Sequence, residues 1–187
     1  MSTPLKVVAV SGGTYRPSRT LVLVQAIVAE LSQYLPIESR IIELGDIVRP
    51  LGSAMSRQEL PETVEYELSA IESADLLVVA APVYRGAYPG QFKHLFDLIG
   101  QDALIDTPVL LAATGGSDRH ALVIDHQLRP LFSFFQSVTL PLGVYASEAD
   151  FMNYQISSEA LKTRIRLAVE RAAPLFTANA ADLRKTA

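Results

Sequence analysis

Val7-Val8-Ala9-Val10-Ser11-Gly12-Gly13-Thr14-Tyr15-Arg16-Pro17-Ser18-Arg19-Thr20 is the stretch that decides the fold of this chain. The four apolar residues at its start read as a strand covered on both faces. The hydroxyl- and glycine-rich run that follows reads as a loop, and Leu21 to Leu31 carries the period of a helix. A strand that passes to a helix through such a loop opens a βα repeat, and the same alternation of short apolar runs and longer helix-periodic runs continues along the chain. Strands are placed at Leu5 to Val10, Ile37 to Leu44, Asp75 to Ala80, Pro108 to Thr114 and Val138 to Tyr145. Helices are placed at Ser18 to Tyr34, Pro61 to Ser73, Gly90 to Ile99, Asp118 to Phe135 and Ser158 to about Asn179. Pro36 stops the first helix, Pro61 suits the first turn of the second, and Ser158 with Glu159 caps the last. The tail Ala180 to Ala187 is expected to fray.

Five strands, each connection long enough for a right-handed crossover, give a parallel sheet with helices on both faces. The natural order is 2-1-3-4-5, a flavodoxin-like α/β three-layer sandwich formed as one domain over residues 1–187. Ile37 to Leu44, with Glu38, Ser39 and Arg40 inside it, suits an edge. In such sheets ligands sit outside the carboxyl ends of the strands where the order reverses, which directs attention to the loops after the first, third and fourth strands.

The bulk composition narrows the function. The chain has 187 residues, 49% hydrophobic and 19% charged, with net charge −4 and mean hydropathy +0.24. Scattered basic residues argue against a nucleic-acid or anionic-membrane surface. The absence of cysteine excludes disulfides, thiolate catalysis and cysteine-ligated metal. No signal segment or membrane-length apolar run is visible, so a cytoplasmic location is expected. The large apolar fraction points to a homodimer or homotetramer, built on the apolar fourth helix and on Phe92, Leu95 and Phe96 of the third.

The first loop has the parts of a phosphate cradle: free N–H groups at a helix start, hydroxyls of Ser11, Ser18 and Thr20, and the Arg19 guanidinium. The Gly-Lys-Ser/Thr ending of a triphosphate loop is absent, and so is the three-glycine spacing of a dinucleotide fingerprint, which leaves a phosphate monoester. Taken singly, Ser18 is as well read as a helix cap and Arg19 as a solvated charge. The third strand feeds Ala81-Pro82-Val83-Tyr84-Arg85-Gly86-Ala87-Tyr88-Pro89-Gly90, a stiff loop able to offer amides and an aromatic edge to a flat heterocycle. The fourth feeds Thr114-Gly115-Gly116-Ser117, where bare backbone can approach the same ring. Individually Tyr84 and Tyr88 read equally as loop packing, and the glycine pair as a turn. Their coincidence on one sheet edge favours flavin mononucleotide (FMN).

The runs S-G-G-T-Y-R-P-S-R-T, A-P-V-Y-R-G-A-Y-P-G and A-T-G-G-S-D-R-H-A resemble the NAD(P)H-dependent FMN reductases of two-component alkanesulfonate monooxygenase systems, the methanesulfonate type most of all. The resemblance spans nearly the whole chain. It implies an FMN phosphate on Ser11, Ser18, Arg19 and Thr20, and a flavin ring on Pro82, Val83, Tyr84, Arg85 and Gly86 with Thr114, Gly115, Gly116 and Ser117 on its far side. It also implies that NADH or NADPH is the reductant and that reduced FMN leaves for a partner flavin-dependent monooxygenase. Arg16, Arg85 and Arg119 are the candidates to read a ribose phosphate, and they do not separate NADH from NADPH. The chemistry, hydride transfer between stacked rings, asks for no catalytic triad, and none is visible. A quinone, azo or metal-ion reductase that retains its FMN and a flavodoxin-type electron carrier are the competing readings. A phosphoacceptor receiver would need acidic residues where Ser11 and Gly12 stand.

In the fourth helix Pro130 removes the N–H that would bond the His126 carbonyl. A wider closure from the Leu131 N–H to that carbonyl would repair the loss and create a π-bulge at His126, with a plain proline kink as the alternative. The resemblance implies the bulge, since sulfonate-system reductases carry an inserted tyrosine or histidine here. His94, His120 and His126 have no spacing that makes a metal site.

Overall fold

The computed structural model describes residues 3–182. Strand β1 (Leu5–Ser11) leads to α1 (Arg19–Tyr34), β2 (Ile37–Glu43), α2 (Leu44–Ser53), α3 (Glu62–Glu72), β3 (Leu76–Pro82), α4 (Gly90–Asp97) and β4 (Pro108–Gly115). After a π turn (Ile124–Leu128) come α5 (Arg129–Phe134), β5 (Val138–Thr139), β6 (Val144–Ser147), the hairpin β7 (Phe151–Met152) and β8 (Gln155–Ile156), and α6 (Glu159–Asp182). The sheet order is β2-β1-β3-β4-β5, all parallel, with β6 continuing beside β4. This is the flavodoxin-like order read from the sequence. β2 is the edge, as its charged residues require.

Alternation along each strand sorts the core into two layers. Val8, Val10, Leu77, Val79 and Leu111 face α3, α4 and α5. Val7, Ala9, Leu76, Val78 and Leu110 face α1 and α6. Helix α1 begins where the Ser18 hydroxyl accepts the Leu21 N–H at 3.1 Å and ends at Tyr34, because Leu35, ahead of Pro36, is extended. Ser158 caps α6 in the same way, accepting the Leu161 N–H at 3.2 Å.

The structure departs from the sequence reading in several places. Leu44 opens α2, a helix not expected across Gly45, Pro50 and Gly52; burial of Leu44 and Leu51 overrides its poor propensity. The fifth strand is two pieces, since Pro141 cannot donate to a ladder and Gly143 lies where a Cβ would sit 2.8 Å from Ile124 Cγ2. The helix placed at Asp118 to Phe135 is a 3₁₀ turn (Asp118–His120), the π turn and the short α5. Pro61 is the cap before α3 rather than its first turn, α4 stops at Asp97, and β3 runs on through Pro82. Phe92, Leu95 and Phe96 do not form a surface: they are buried, with Phe92 on Phe96 and Phe96 on Phe132 at centroid distances of 5.0 Å. Of the expected frayed tail, 180–182 continue α6 and the remainder lies outside the described residues. Among the described residues no helix is long and apolar enough to cross a membrane.

One ion-pair cluster braces this frame. Arg57 donates to Glu65 Oε1 at 2.6 Å and to Glu72 Oε2 at 2.9 Å, while Glu72 Oε1 accepts the Gly100 N–H at 2.8 Å. Burial alone would raise the Glu72 carboxyl, but Arg57 and the Gly100 N–H outweigh it and hold it below the usual carboxylate range. Glu65 is lowered mainly by its hydrogen bond from Arg57. Folded values below the unfolded ones mean that this stabilisation is complete above the ordinary glutamate range and is lost as the pH falls through the lower folded values. Arg57→Met is expected to cost about 1–2 kcal/mol at pH 7, roughly 3–6 °C in Tm. Thermal melts from pH 7 to pH 3.5 check this, and a gap to wild type that does not shrink below about pH 4.5 refutes it.

Candidate functional site

The site is a cleft at the carboxyl edge of the sheet, because Ser11 pairs with Ala80, Pro82 with Thr114 and Gly115 with Ser147, so these strands end close to one level. Its lining is Gly13, Tyr15, Pro17, Ser18, Arg19 and Thr20 from the first loop, Pro82, Val83 and Tyr84 from the second, Thr114, Gly115 and Gly116 from the third, and Tyr154. Three segments read separately from sequence therefore meet in one place.

The first loop leaves β1 flush against its neighbours. The Gly12 N–H donates to the Ala80 carbonyl at 2.7 Å, and a Cβ on Gly12 would lie 2.7 Å from Phe92 Cδ2, so a side chain there would collide with the core. The Gly45 N–H donates to the Gly13 carbonyl at 3.1 Å and ties the loop to α2. Ser18 then caps α1, placing the first amides of a 16-residue helix at the cleft with their positive dipole end outward. Thr20 is buried and shares a 2.7 Å hydrogen bond with the buried Thr114 hydroxyl. Arg19 pairs with Glu148 and has its guanidinium carbon 5.4 Å from the centroid of the Tyr154 ring.

In the second loop the Val83 N–H donates to the Thr114 carbonyl at 2.8 Å, extending the β3–β4 pairing into the cleft. Tyr84 and Ala87 close a two-residue turn, Tyr84 N–H to Ala87 carbonyl at 2.7 Å, with Arg85 (φ 54°) and Gly86 (φ 90°) both left-handed as in a type I′ turn. Tyr84 lines the cleft, whereas Tyr88 packs inward with its ring 5.3 Å from that of Phe92. The two tyrosines, equivalent in sequence, have different roles. In the third loop a Cβ on Gly115 would fall 2.1 Å from Tyr145 Oη, which donates to the Ser117 carbonyl at 2.6 Å. Burial, with Asp118 and Asp150 nearby, raises that phenol above its ordinary pKa. Nothing stands within 4 Å of a Cβ placed on Gly116, whose bare backbone is open to the cleft.

Not every expected residue is in the lining. Ser11 and Arg16 border an adjoining hollow with Glu43 and Asp46. Arg16 Nε donates to Glu43 Oε2 at 2.8 Å and its terminal nitrogen lies 3.1 Å from Asp46 Oδ2, because β2 and α2 bring both carboxylates beside the loop. Arg85 and Gly86 occupy the turn beyond the lining, as does Ser117 beyond Gly116. Tyr154 and Glu148 were missed. Both follow β6, and only Asn153, a turn-prone residue after Phe151-Met152, offered a local signal for the hairpin turn.

The wide turn expected at His126 is present, from Ile124 to Leu128. Its closing bond runs from the Arg129 N–H to the Ile124 carbonyl, and Pro130 falls in the first turn of α5, where a missing N–H costs little. His94 donates from Nε2 to the Leu51 and Ala54 carbonyls at 3.0 and 2.9 Å, capping the end of α2. Among the described residues no group of three histidine or acidic side chains is placed to hold a metal. Among the described residues, the lining carries one guanidinium and phenols but no carboxylate, imidazole or amine. The arrangement suits anion binding beside a flat slot and offers no general acid–base pair.

The sequence profile of the NADPH-dependent FMN reductases matches residues 5–151. The chain is 76% identical over its full length to the NADH-dependent FMN reductase SfnF of Pseudomonas fluorescens, whose full length is also covered. It is 73% identical, over 94% of its length and 95% of the relative's, to an FMN reductase (NADPH) of Pseudomonas aeruginosa. Among solved structures, an oxidoreductase from Corynebacterium diphtheriae superposes with a TM-score of 0.82 at 33% identity, over 95% of this chain and 100% of that one.

The Gly115 contact yields a direct test of the third loop. Gly115→Ala is expected to destabilise by about 1–3 kcal/mol through overpacking. Tyr145→Phe, which loses the bond to Ser117, is expected to cost about 1 kcal/mol. The double variant, freed of the 2.1 Å contact, should be less destabilised than the sum of the two by about 1 kcal/mol in urea unfolding. Strict additivity would show that Tyr145 does not set the space at Gly115.

Proposed function

This chain belongs to the NADPH-dependent FMN reductase family, and on that premise we propose that its cleft seats FMN with the phosphate at the start of α1 and the ring between the second and third loops. The chain is an NAD(P)H-dependent FMN reductase. The observation that carries the seating is the meeting of a capped helix start, Arg19 and a glycine-walled slot in one cleft without acid–base residues. A flavin fits what the chain provides: Gly13 and Gly116 leave backbone bare, the amides after Ser18 face anionic charge, and Pro82, Val83 and Tyr84 make a flat wall.

The roles of the residues follow. Ser18, Arg19 and Thr20 bind and orient the phosphate end, with Thr20 held rigid by Thr114. Backbone at Val83 and Tyr84 and from Thr114 to Gly116 positions the ring edges, and the left-handed Arg85-Gly86 turn behind them sets how far Tyr84 reaches over the slot. Ser11 borders the adjoining hollow, and Arg16 ties the loop to Glu43 and Asp46 there. When bound, FMN supplies the hydride acceptor, so that NAD(P)H, FMN and a proton give NAD(P)⁺ and reduced FMN. The protein contributes stacking geometry and exclusion of water, not a proton relay.

Arg16 is already engaged by Glu43 and Asp46, which leaves no net positive charge there for a ribose 2′-phosphate and supports NADH as the preferred reductant. The resemblance of the three loops to sulfonate-system reductases supports a flavin-dependent monooxygenase of sulfonate breakdown as the recipient of reduced FMN, in the cytoplasm. Leu122 (60% exposed) and Phe134 (63% exposed), beside the π turn with His126, support a homodimer or homotetramer joined through that face.

Steady-state turnover with FMN in large excess over enzyme is expected to oxidise NADH for many cycles, with a higher kcat/KM than for NADPH. Arg19→Gln should raise the KM for FMN about tenfold and leave that for riboflavin unchanged. Turnover limited to one equivalent of flavin, or equal effects on both flavins, would reject the reading of the cleft.

A further inference from the structure

Glu148 has no part in the seating described above, yet it contacts Arg19, the one cationic side chain among the described residues of the cleft lining. It opens the 3₁₀ turn Glu148–Asp150 immediately after β6. That turn is fixed by a reciprocal cap, in which the Ser147 side chain accepts the Asp150 N–H and Asp150 Oδ2 accepts the Ser147 N–H at 2.8 Å. Because Ser147 is in register with Gly115, the turn delivers Glu148 to the same sheet edge as the other loops. On another side of Arg19 stands Tyr154, held with Asn153 at φ 58° and 48° in the hairpin turn. Left-handed backbone suits asparagine and disfavours tyrosine, so the aromatic ring occupies that position against local preference.

A phosphate dianion arriving at α1 therefore meets a guanidinium that is already neutralised, and a carboxylate of its own sign in contact with it. We propose that Glu148 is an intrachain competitor for the flavin phosphate, a residue that lowers FMN affinity and keeps the flavin exchangeable. This rests on the reading of the cleft as an FMN site. The Glu148 side chain is 59% exposed, so its carboxylate can turn to water when the phosphate takes Arg19, and what is given up is a surface ion pair rather than a buried one. Tyr154 keeps the guanidinium over the cradle while its anionic partners exchange. A reductase whose product must leave gains from such weakening: binding energy placed on the ring is kept for the stacking geometry, while the phosphate anchor is loosened.

Glu148→Gln removes the charge and keeps the size. Dissociation constants for FMN and for riboflavin, which lacks the phosphate, are measured by flavin fluorescence on wild type, E148Q, R19Q and the double variant. E148Q is expected to bind FMN roughly two- to fivefold more tightly and release it correspondingly more slowly, with riboflavin unchanged. In the R19Q background the same substitution should bring little gain. If E148Q binds FMN no tighter than wild type, while wild type still prefers FMN to riboflavin, the competitor role is overturned and the flavin site stands. Equal tightening for riboflavin, or a gain that survives in full without Arg19, overturns it as well. Wild type that binds the two flavins alike would remove the phosphate cradle itself, and the competitor with it.

Discussion

The buried hydrogen bond between the Thr20 and Thr114 hydroxyls, 2.7 Å long and 94 residues apart in sequence, is the constraint on which the cleft depends. It joins the start of α1 to the end of β4, across the strand that lies between β1 and β4 in the sheet. Both residues are buried, so loss of either hydroxyl would leave the other without this partner. The level ends of β1, β3 and β4 then become one surface rather than three separate loops. The bond from the Val83 N–H to the Thr114 carbonyl extends the same lock to the second loop. The start of α1 and the loops after β3 and β4 are thereby held at fixed spacing by the scaffold, before any ligand is present.

The parts of this arrangement that follow from local pattern were legible in the sequence. Continuous apolar strands, the edge character of β2, the Ser18 and Ser158 caps and the three loops on the carboxyl edge all have short-range signatures. Parallel topology then places the loops together with little freedom. What was illegible depends on partners far along the chain. Helix α2 contains Gly45, Pro50 and Gly52, each of which reads as a break; its burial and the His94 cap at its end are tertiary facts. Tyr154 lies in a left-handed turn that a tyrosine does not advertise. Glu148 reaches Arg19 across 129 residues, a distance at which charge pattern carries no information. Arg16, read as part of the ligand machinery, has its guanidinium turned to Glu43 and Asp46 by the same unseen α2.

The π turn shows how one irregularity requires another. Ile124, Leu128 and Phe132, spaced four apart, are all buried across the widened turn Ile124–Leu128 and the short α5, with Pro130 in the first turn of α5. Ile124 then occupies space that a regular fifth strand would fill, and the last strand yields: it breaks after Thr139, passes through Pro141 and presents Gly143, the one residue type without a Cβ to meet Ile124. Arg129 fastens the two irregular segments together, donating to Asp125 at 2.9 Å and to the Leu140 carbonyl at 3.1 Å. The strand resumes as β6 in register with the end of β4, which is what brings Ser147, and the turn after it, to the edge of the cleft.

Both arginines of the first loop are thus held by carboxylates of their own chain, and this bears on how the loop keeps its shape when no anion is bound. A run of amides at a helix start with two unpaired guanidiniums beside it would repel itself, and the loop would open at a cost recovered only on binding. Pairing Arg16 with Glu43 and Asp46 on one side, and Arg19 with Glu148 on the other, removes that repulsion in advance. The two pairings differ in kind. Arg16 lies between two acidic groups next to α2, and an incoming anion gains little by approaching it. Arg19 has a single, half-exposed partner and an aromatic ring behind it, so its charge is protected but available. A loop built this way holds its shape before any anion arrives, and the pairing open to exchange lies on the Arg19 side, where the carboxylate is exposed.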